Sequence, residues 1–299
     1  MQETIFGEYK WINIDIEQHP DSHSLPQEID PEIINYSLDK NERAFMEYDI
    51  DSDSLTLVFN VLDPIQEDQY YETIPVTFVL NNKQLISITN HRNAYVSQMM
   101  ATYLTNHPHV SVKTFLFATL TLLTKKYFQA VDFIDNEKDE LNRKLRQQTS
   151  KKNLLAMSDL ETGSVYLLAA SNQNVLLLEQ LESHHSQKNN SDAEKEQLTD
   201  ALIEARQLVS MTQLNSQILA QLSSSFNNVL NNNLNDNLTA LNVISINLAI
   251  LACITGFFGM NIPLPFTDRE HTWIYLCIIS VIIWFIVARL LLLFVRNKR

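Results

Sequence analysis

Two apolar segments near the C-terminal end of this 299-residue chain restrict its possible folds more than any other feature. Residues 241–258 contain no charged side chain, and residues 273–295 contain only one, Arg289. A helix of roughly 20 apolar residues crosses the hydrocarbon core of a bilayer, which is about 30 Å thick. The two segments therefore predict two membrane-spanning helices. Because the connection 259–272 is short, the two ends of the hairpin that it does not join should lie on one side of the membrane.

Charged residues beside the two segments predict the orientation of the hairpin. Arg296, Lys298 and Arg299 follow the second segment, whereas the connecting loop contains two acidic residues and one basic residue. Lys and Arg are enriched on the cytoplasmic flanks of membrane helices. We therefore expect a multi-pass protein of the cell membrane whose N- and C-termini are both cytoplasmic. The three basic residues would form a collar at the inner end of the helices.

Composition excludes several classes of function. The net charge of −13 argues against a nucleic-acid partner, because phosphate groups would be repelled. The two cysteines, Cys253 and Cys277, both lie in the apolar segments and form no disulfide framework. The sequence contains neither a glycine-rich phosphate loop nor a serine nucleophile motif. We therefore expect neither an enzyme nor a protein with an organic cofactor.

The N-terminal region has the pattern of a mixed α+β domain. Alternating or β-branched runs predict four strands, at residues 11–16, 54–62, 74–80 and 84–89. A proline at the first helical position predicts one helix, at residues 31–39. Strands followed mainly by helices suggest helices packed on one sheet. The chain is then expected to divide as follows: α/β domain 1–108, helical hairpin region 109–190, stalk and first span 191–258, external loop 259–272, second span 273–295 and basic tail 296–299.

Glycine and proline are almost absent between Pro108 and Gly256, where Gly163 is the single exception. Residues 110–160 therefore predict one helix, and the polar segment 184–192 predicts a turn in which Ser191 or Asp192 could cap the next helix. That helix would continue without a break into the first span, over roughly 100 Å. One subunit cannot cover a helix of this length, so the pattern predicts a stalk in an oligomer.

The first span has two different faces at 100° per residue. Small, polar and leucine side chains share one face, which we call the polar stripe: Leu238, Leu241, Asn242, Ser245, Ala249, Ala252 and Gly256. The opposite face is apolar except for Asn247. Small and polar residues suit either a lumen or a tight contact between helices. From the residues alone, both interpretations remain open.

The residues that follow the first span resemble a known family. Gly259-Met260-Asn261, placed between two C-terminal spans, resembles the Gly-Met-Asn motif of the CorA family of divalent-cation channels, with Phe258 at the position of the usual tyrosine. Further similarities are Tyr127-Phe128 and Asp139-Glu140-Leu141 on the predicted helix. The resemblance covers nearly the whole chain and is stronger after residue 235 than in the first 100 residues.

This resemblance implies a funnel-shaped homopentamer with a central pore lined by the first span. Gly259, Met260 and Asn261 would form the selectivity filter, with five Asn261 side chains around the entrance. Asn235, Leu238 and Leu241 match cytoplasmic-side pore positions, and two of these three belong to the polar stripe, which favours the pore interpretation. Asp200 matches an acidic stalk position at which the family senses intracellular Mg²⁺, and Asp63 is a weaker candidate for its partner.

The implied function is downhill uptake of hydrated divalent cations, gated by intracellular Mg²⁺. Mg²⁺ is the first candidate for the conducted ion, and Co²⁺ and Ni²⁺ are the next. One alternative is a zinc transporter of the ZntB type, but its motif usually reads Gly-Ile-Asn and Met260 argues against it. Another is a non-conducting, membrane-anchored assembly protein. Ala249, Ala252, Thr239 and Ile250 depart from residues common in the family, which leaves the width and gating of the pore open.

Overall fold

The computed structural model describes residues 1–17, 31–39, 43–65, 70–147, 150–184, 190–260 and 271–297. These residues form two compact units, with unit 1 covering Met1–Ser224 and unit 2 covering Ser225–Arg299. Unit 1 contains the sheet and most of the helices. The predicted segments 1–108 and 109–190 thus belong to the same compact unit.

Unit 1 is built on a six-stranded mixed sheet with the strand order β1-β2-β6-β5-β4-β3. The strands are β1 (Gln2–Phe6), β2 (Tyr9–Asp15), β3 (Phe45–Asp49), β4 (Ser54–Leu62), β5 (Thr73–Leu80) and β6 (Gln84–Thr89). The β2–β6 pair is parallel, and the other four pairs are antiparallel. The four predicted strands are confirmed to within two residues. The sequence interpretation missed β1 and β3, which are the two edge strands.

Helices cover both faces of this sheet. They are α1 (Pro31–Leu38), α2 (Tyr95–Asn106), α3 (Val112–Gln147), α4 (Lys151–Ser183) and α5 (Asp192–Phe258). On one face, a small core of isoleucines and Val79 packs against Ile33 and Ile34 of α1. On the other face, a larger core joins the sheet to α2, α3, α4 and the first turns of α5. Helices packed on one sheet are therefore present as expected, and α1 covers the face opposite to the other helices.

The predicted helix over residues 110–160 is helical for most of its length but is interrupted before residue 151. The structure has two helices there, and α4 starts after Ser150, whose extended backbone and side chain cap the new helix. The Ser150 hydroxyl accepts a hydrogen bond from the backbone N–H of Asn153 at 3.2 Å. A serine cap can therefore end one helical run and begin another without glycine or proline.

Gly163 is required by a close approach inside unit 1. A Cβ atom at this position would lie 3.1 Å from Cβ of Tyr70 and 3.2 Å from the backbone nitrogen of Tyr71. The only glycine of α4 is therefore explained by packing against the segment before β5, and it does not interrupt the helix. It lets α4 lie closely against the sheet layer.

The helices on both sides of the predicted turn 184–192 are present, and residues 185–189 lie outside the described residues. After α4 ends at Ser183, the next helix, α5, begins at Asp192 and its cap is Ser191. Glu194 N–H donates to the Ser191 hydroxyl at 3.3 Å, and Ser191 N–H donates to Oε2 of Glu194 at 2.9 Å. This reciprocal pair is a capping box. From it, α5 continues as one helix of 67 residues.

Unit 2 consists of the later turns of α5 and the C-terminal helix α6 (Thr272–Asn297). Both helices are long and apolar enough to span a membrane, with mean hydropathies of 2.0 and 2.6 in their most apolar windows. None of the described residues in the most apolar part of α6 is buried within the chain, and in that of α5 only 6% are buried. Apolar side chains without protein cover suit a lipid environment. The two expected spans are thus present as helices.

Candidate functional site

The polar stripe lies on a side of α5 that this chain leaves uncovered. All seven of its residues are exposed, and so is Asn235, the remaining predicted pore position. Leu238 and Leu241 retain 48% and 58% of their accessible surface. The predicted pore residues therefore share one uncovered face. In a membrane, this face is covered by lipid or by another protein chain.

The opposite face of the same span is partly covered within unit 2. Val243, Ile250 and Ile254 are half-buried, and Asn247 is only 4% exposed. The Asn247 side-chain amide donates to the backbone carbonyl of Val243 at 2.9 Å, which partly satisfies it. These positions are therefore partly covered by unit 2, whereas Ile244 on the same face is 56% exposed. All residues of the polar stripe remain exposed.

The C-terminal end of α5 is shaped by Gly259. Its backbone N–H donates to the Thr255 carbonyl at 2.9 Å, and an added Cβ would lie 3.1 Å from that same oxygen. The Thr255 hydroxyl donates to the Leu251 carbonyl at 3.0 Å, so this turn carries an additional side-chain hydrogen bond. Met260 follows with 48% of its surface exposed. Asn261, the third predicted filter residue, lies outside the described residues.

The basic collar is described only in part. Arg296 belongs to α6, which ends at Asn297. Lys298 and Arg299 lie outside the described residues. Arg289, the single charge inside the second apolar segment, has its guanidinium carbon 5.9 Å from the centroid of the Phe285 ring. An aromatic face attracts a cation at this distance.

Asp200 lies on an exposed side of α5 within unit 1. Together with Lys125 and Glu204 it lines an open groove of about 320 Å³ between α2, α3 and α5. Lys125 Nζ is 3.3 Å from Oε1 of Glu204, which ties α3 to α5 beside Asp200. An exposed carboxylate on a rigid helix is available to a cation or to a neighbouring chain.

Asp63 has a different environment. Its side chain is fully buried and forms an ion pair with Arg92, which is also buried. Asp63 Oδ1 also accepts a hydrogen bond from the backbone N–H of Ile65 at 2.9 Å. Burial raises the pKa of the nearby Tyr95 hydroxyl, and the Asp63 charge raises it further. These contacts favour a structural role for Asp63, because its carboxylate is already neutralised and hidden.

The described residues contain no group of three or more His, Cys, Asp or Glu side chains that could hold a metal ion. Cys253 and Cys277 are free and exposed. A protein that binds its ion through many direct ligands would need such a group. The polar stripe itself carries the amide of Asn242 and the hydroxyl of Ser245, both exposed.

Sequence reasoning missed two features of these sites. The partner of Asp63 was not foreseen, because Arg92 is distant in the sequence and only the fold brings the two together. The burial of Asn247 was also not foreseen, since the helical wheel showed it only as an exception on an apolar face. The sequence signal that could have indicated this burial is the position of Asn247 on the face opposite the polar stripe.

Comparison with known proteins gives consistent results. The model of the family described as "CorA-like Mg2+ transporter protein" matches residues 6–298. The complete CorA magnesium transporter from Methanocaldococcus jannaschii superposes with a TM-score of 0.79 at 18% identity, over 97% of this chain and 92% of that one. No curated protein sequence matches the chain.

Two further solved structures have the same fold. The full-length CmaX protein has a TM-score of 0.70 at 13% identity, over 97% of this chain and 90% of that one. The ZntB cytoplasmic domain from Vibrio parahaemolyticus has a TM-score of 0.60 at 13% identity, over 78% of this chain and 93% of that one. At these identities the structures establish a shared architecture. They do not distinguish one transported ion from another.

Proposed function

Because the chain belongs to the CorA family of divalent-cation transporters, we propose that it is a homopentameric channel for hydrated Mg²⁺. The observation that carries the proposal is the exposed polar stripe of α5, opposite a face that unit 2 partly covers. In a ring of five chains, this stripe would face a central lumen. The apolar outside of α5 and α6 would face lipid.

The stripe offers a hydrated ion the contacts that it needs. Mg²⁺ gives up its water reluctantly and keeps several water ligands when bound to proteins. The Asn242 amide and the Ser245 hydroxyl are exposed and can accept hydrogen bonds from those waters. Farther along the stripe, Ala249, Ala252 and Gly256 have small side chains or none and would therefore leave space in the lumen. The path is thus wide at its outer half and contains no direct metal ligand.

Selectivity is assigned to the filter residues Gly259, Met260 and Asn261. Gly259 allows the tight end of α5, and Asn261 follows two residues later in the sequence. A ring of amide oxygens at the entrance would accept hydrogen bonds from the ion's waters without replacing them. The family membership and this local geometry support the assignment.

Uptake would be driven by the membrane potential. A charge moved across 100 mV gains about 2.3 kcal/mol, so a divalent cation gains about twice that. With the N- and C-termini in the cytoplasm, Arg296, Lys298 and Arg299 would surround the inner end of the pore. Because their positive charge opposes cations, acidic stalk residues would have to offset it.

Regulation is assigned to Asp200. This carboxylate is exposed on α5, in a groove where a neighbouring chain could contribute further oxygen ligands. A hard cation such as Mg²⁺ prefers carboxylate and water oxygens. Intracellular Mg²⁺ bound there would hold adjacent subunits together and close the pore. The buried Asp63 is not required for this arrangement.

Flux through purified protein in liposomes tests the proposal directly. Mg²⁺ entry is expected to exceed Zn²⁺ entry, and Ser245→Leu should sharply reduce it by making the stripe apolar. Ile244→Leu is the matched control, because Ile244 is exposed on α5 outside the stripe. Preferred Zn²⁺ flux would establish the zinc alternative, whereas absence of any flux would favour an assembly protein.

The assembly is tested separately by native mass spectrometry in detergent. The proposal predicts a pentamer, because only a ring of subunits encloses the stripe. A stable monomer or dimer would contradict the shared lumen even if the protein bound divalent cations.

A further inference from the structure

The spacing of the polar stripe continues on the N-terminal side of the first apolar segment. From Leu238 to Gly256, six of the seven stripe residues recur at alternating intervals of four and three residues. Continued backwards from Leu238, the same intervals select residues 235, 231 and 228, and all three are asparagines. Each belongs to α5 within unit 2, and each is exposed. We call Asn228, Asn231 and Asn235 the amide ladder.

The ladder and the stripe together form one seam along the helix. An average interval of 3.5 residues keeps one face of a helix directed towards partner helices in a bundle. Such seams are normally apolar, and even one asparagine lowers the stability of a dry bundle. In the seam from Asn228 to Gly256, four of the nine positions are asparagine and one is serine, and Leu238 is the only large apolar residue. The seam is therefore better suited to water than to dry contact between helices.

The other side of the helix in unit 2 has the opposite character. Phe226 and Asn247 lie 21 residues apart, which is a whole number of seven-residue repeats, so they share one face of this seam helix. Phe226 is only 7% exposed and Asn247 only 4%. Protein therefore covers parts of the face opposite the seam, whereas the seam itself is left open along its whole length.

Charge is almost absent from this part of the chain. Between Arg206 and Asp268, the only charged residue is Asp236, which lies outside the seam. A cation beside the ladder would therefore meet neutral amides. Their carbonyl oxygens can accept hydrogen bonds from the waters that Mg²⁺ retains. Conduction requires sites that bind an ion well enough for entry and weakly enough for exit, and amides without a negative charge meet both conditions.

We propose that Asn228 and Asn231 extend the ion path, as two further rings of amides on the N-terminal side of Asn235. This inference rests on the proposed channel and adds residues to it. Neighbouring rings would be separated by roughly 4.5–6 Å along α5, at 1.5 Å per residue. A hydrated ion would exchange its hydrogen bonds from one ring to the next on its way past Leu238. The ladder would thus set the rate of passage, and selectivity stays assigned to the filter residues.

Mg²⁺ flux through the full-length protein in liposomes tests the role of the ladder. Asn228→Leu with Asn231→Leu should lower the flux about tenfold or more, since hydrogen bonds to the hydrated ion are lost in both rings. The matched control, Asn233→Leu with Asn237→Leu, replaces two exposed asparagines of the same helix outside the seam and should leave the flux unchanged. Size-exclusion chromatography should show the same oligomer for both variants.

Smaller substitutions keep the test decisive if leucine at these positions disturbs assembly. Asn228→Ala with Asn231→Ala removes the acceptors, whereas Asn228→Ser with Asn231→Ser keeps a shorter one. The alanine variant should transport more slowly than the serine variant, and the serine variant more slowly than the unmodified protein.

Two results would overturn the inference, and they differ in what they leave standing. Undiminished flux through the leucine and alanine variants would remove Asn228 and Asn231 from the ion path and leave the proposed channel intact. Absence of flux through the unmodified protein would contradict the proposed channel itself and this inference with it.

Discussion

The Ser111 hydroxyl donates a hydrogen bond of 2.5 Å to Oε1 of Glu194 and thereby joins the first turns of α3 and α5. The same hydroxyl accepts from the backbone N–H of Thr114 at 3.1 Å. The other oxygen of Glu194 completes the capping box with Ser191. One carboxylate thus stabilises the starts of both helices and holds these two starts next to each other.

Glu194→Ala is expected to destabilise unit 1 by about 1–3 kcal/mol, because hydrogen bonds at both helix starts are lost together. Chemical unfolding of the detergent-solubilised protein, followed by circular dichroism, measures this change. Glu196→Ala is the control, since it removes an exposed carboxylate from the same turn region. An equal loss in both variants would mean that the link between the caps contributes nothing specific.

Arg92→Met should be among the most destabilising substitutions in unit 1. It leaves the buried Asp63 carboxylate without its partner, and breaking a buried ion pair in this way costs about 3–5 kcal/mol. Adding Asp63→Leu should restore much of the loss, because no buried charge then remains. Thermal unfolding of the single and double variants measures both effects. If the double variant is no more stable than the single one, the structural role assigned to this pair is wrong.

Asp200→Asn is expected to change regulation without changing stability. The side chain is exposed, so the free energy of unfolding should shift by no more than about 0.5 kcal/mol. Protection of the protein from protease by Mg²⁺ should, however, require a higher Mg²⁺ concentration. Glu182→Gln, an exposed acid on α4, should leave this concentration unchanged. A normal response in the Asp200 variant would remove this residue from the proposed sensor.

The sequence was sufficient for elements with strong local signals. The β4 strand is predicted by its run of Leu, Val and Phe, and the start of α5 by the cap candidates Ser191 and Asp192. The edge strands β1 and β3 carry few buried side chains, so their pattern is weak. The break before α4 rests on a single serine cap, which composition alone does not distinguish from an ordinary helical serine.

The candidate site could be predicted only where it depends on periodicity within one helix. The polar stripe follows from a spacing of three or four residues, and its exposure agrees with that pattern. The environments of Asp63 and Asn247 depend on contacts between distant parts of the chain. A single sequence contains no local signal for such contacts, so the regulatory role expected for Asp63 had no structural support.

Acid should selectively weaken the turn between β3 and β4. The Tyr48 hydroxyl donates to Asp53, and Asn82 donates to the same carboxylate at 2.8 Å. These bonds hold the pKa of Asp53 below its ordinary value, with the Tyr48 bond as the largest cause. Because the pKa is lower in the folded state, the stabilisation is complete above the unfolded-state pKa of about 4. It is lost as the pH falls through the lower folded-state pKa.

Tyr48→Phe should therefore be less stable than the unmodified protein at neutral pH, and the difference should shrink below about pH 4. Melting temperatures recorded from pH 7 downwards check this. For Tyr103→Phe, on α2 and away from this turn, the difference in melting temperature from the unmodified protein should not decrease at low pH. A Tyr48 difference that stays constant with pH would rule out the hydrogen bond to the charged carboxylate as its cause.

The last prediction concerns Asn261 and the hydrated ion. If the ring of amides binds the ion's waters, hexaamminecobalt(III) should block Mg²⁺ uptake from outside, because its N–H groups can donate as waters do while its ligands do not exchange. Asn261→Ala should abolish both uptake and block, since losing a hydrogen bond to a charged group costs about 1.5–3 kcal/mol and the loss is repeated in each subunit. The pentamer should remain intact, because Asn261 follows the end of α5.

Asn261→Asp provides the sharper comparison, because it keeps an oxygen acceptor and adds a negative charge. Divalent ions should then bind more tightly, and selectivity among them should decrease, since charge attracts all divalent cations whereas an amide ring distinguishes their hydration shells. Competitive flux of Mg²⁺ against Co²⁺ and Ni²⁺ in liposomes measures the change. Undiminished, selective uptake through Asn261→Ala pentamers would place selectivity elsewhere along α5, with Asn242 and Ser245 of the polar stripe as the next residues to substitute.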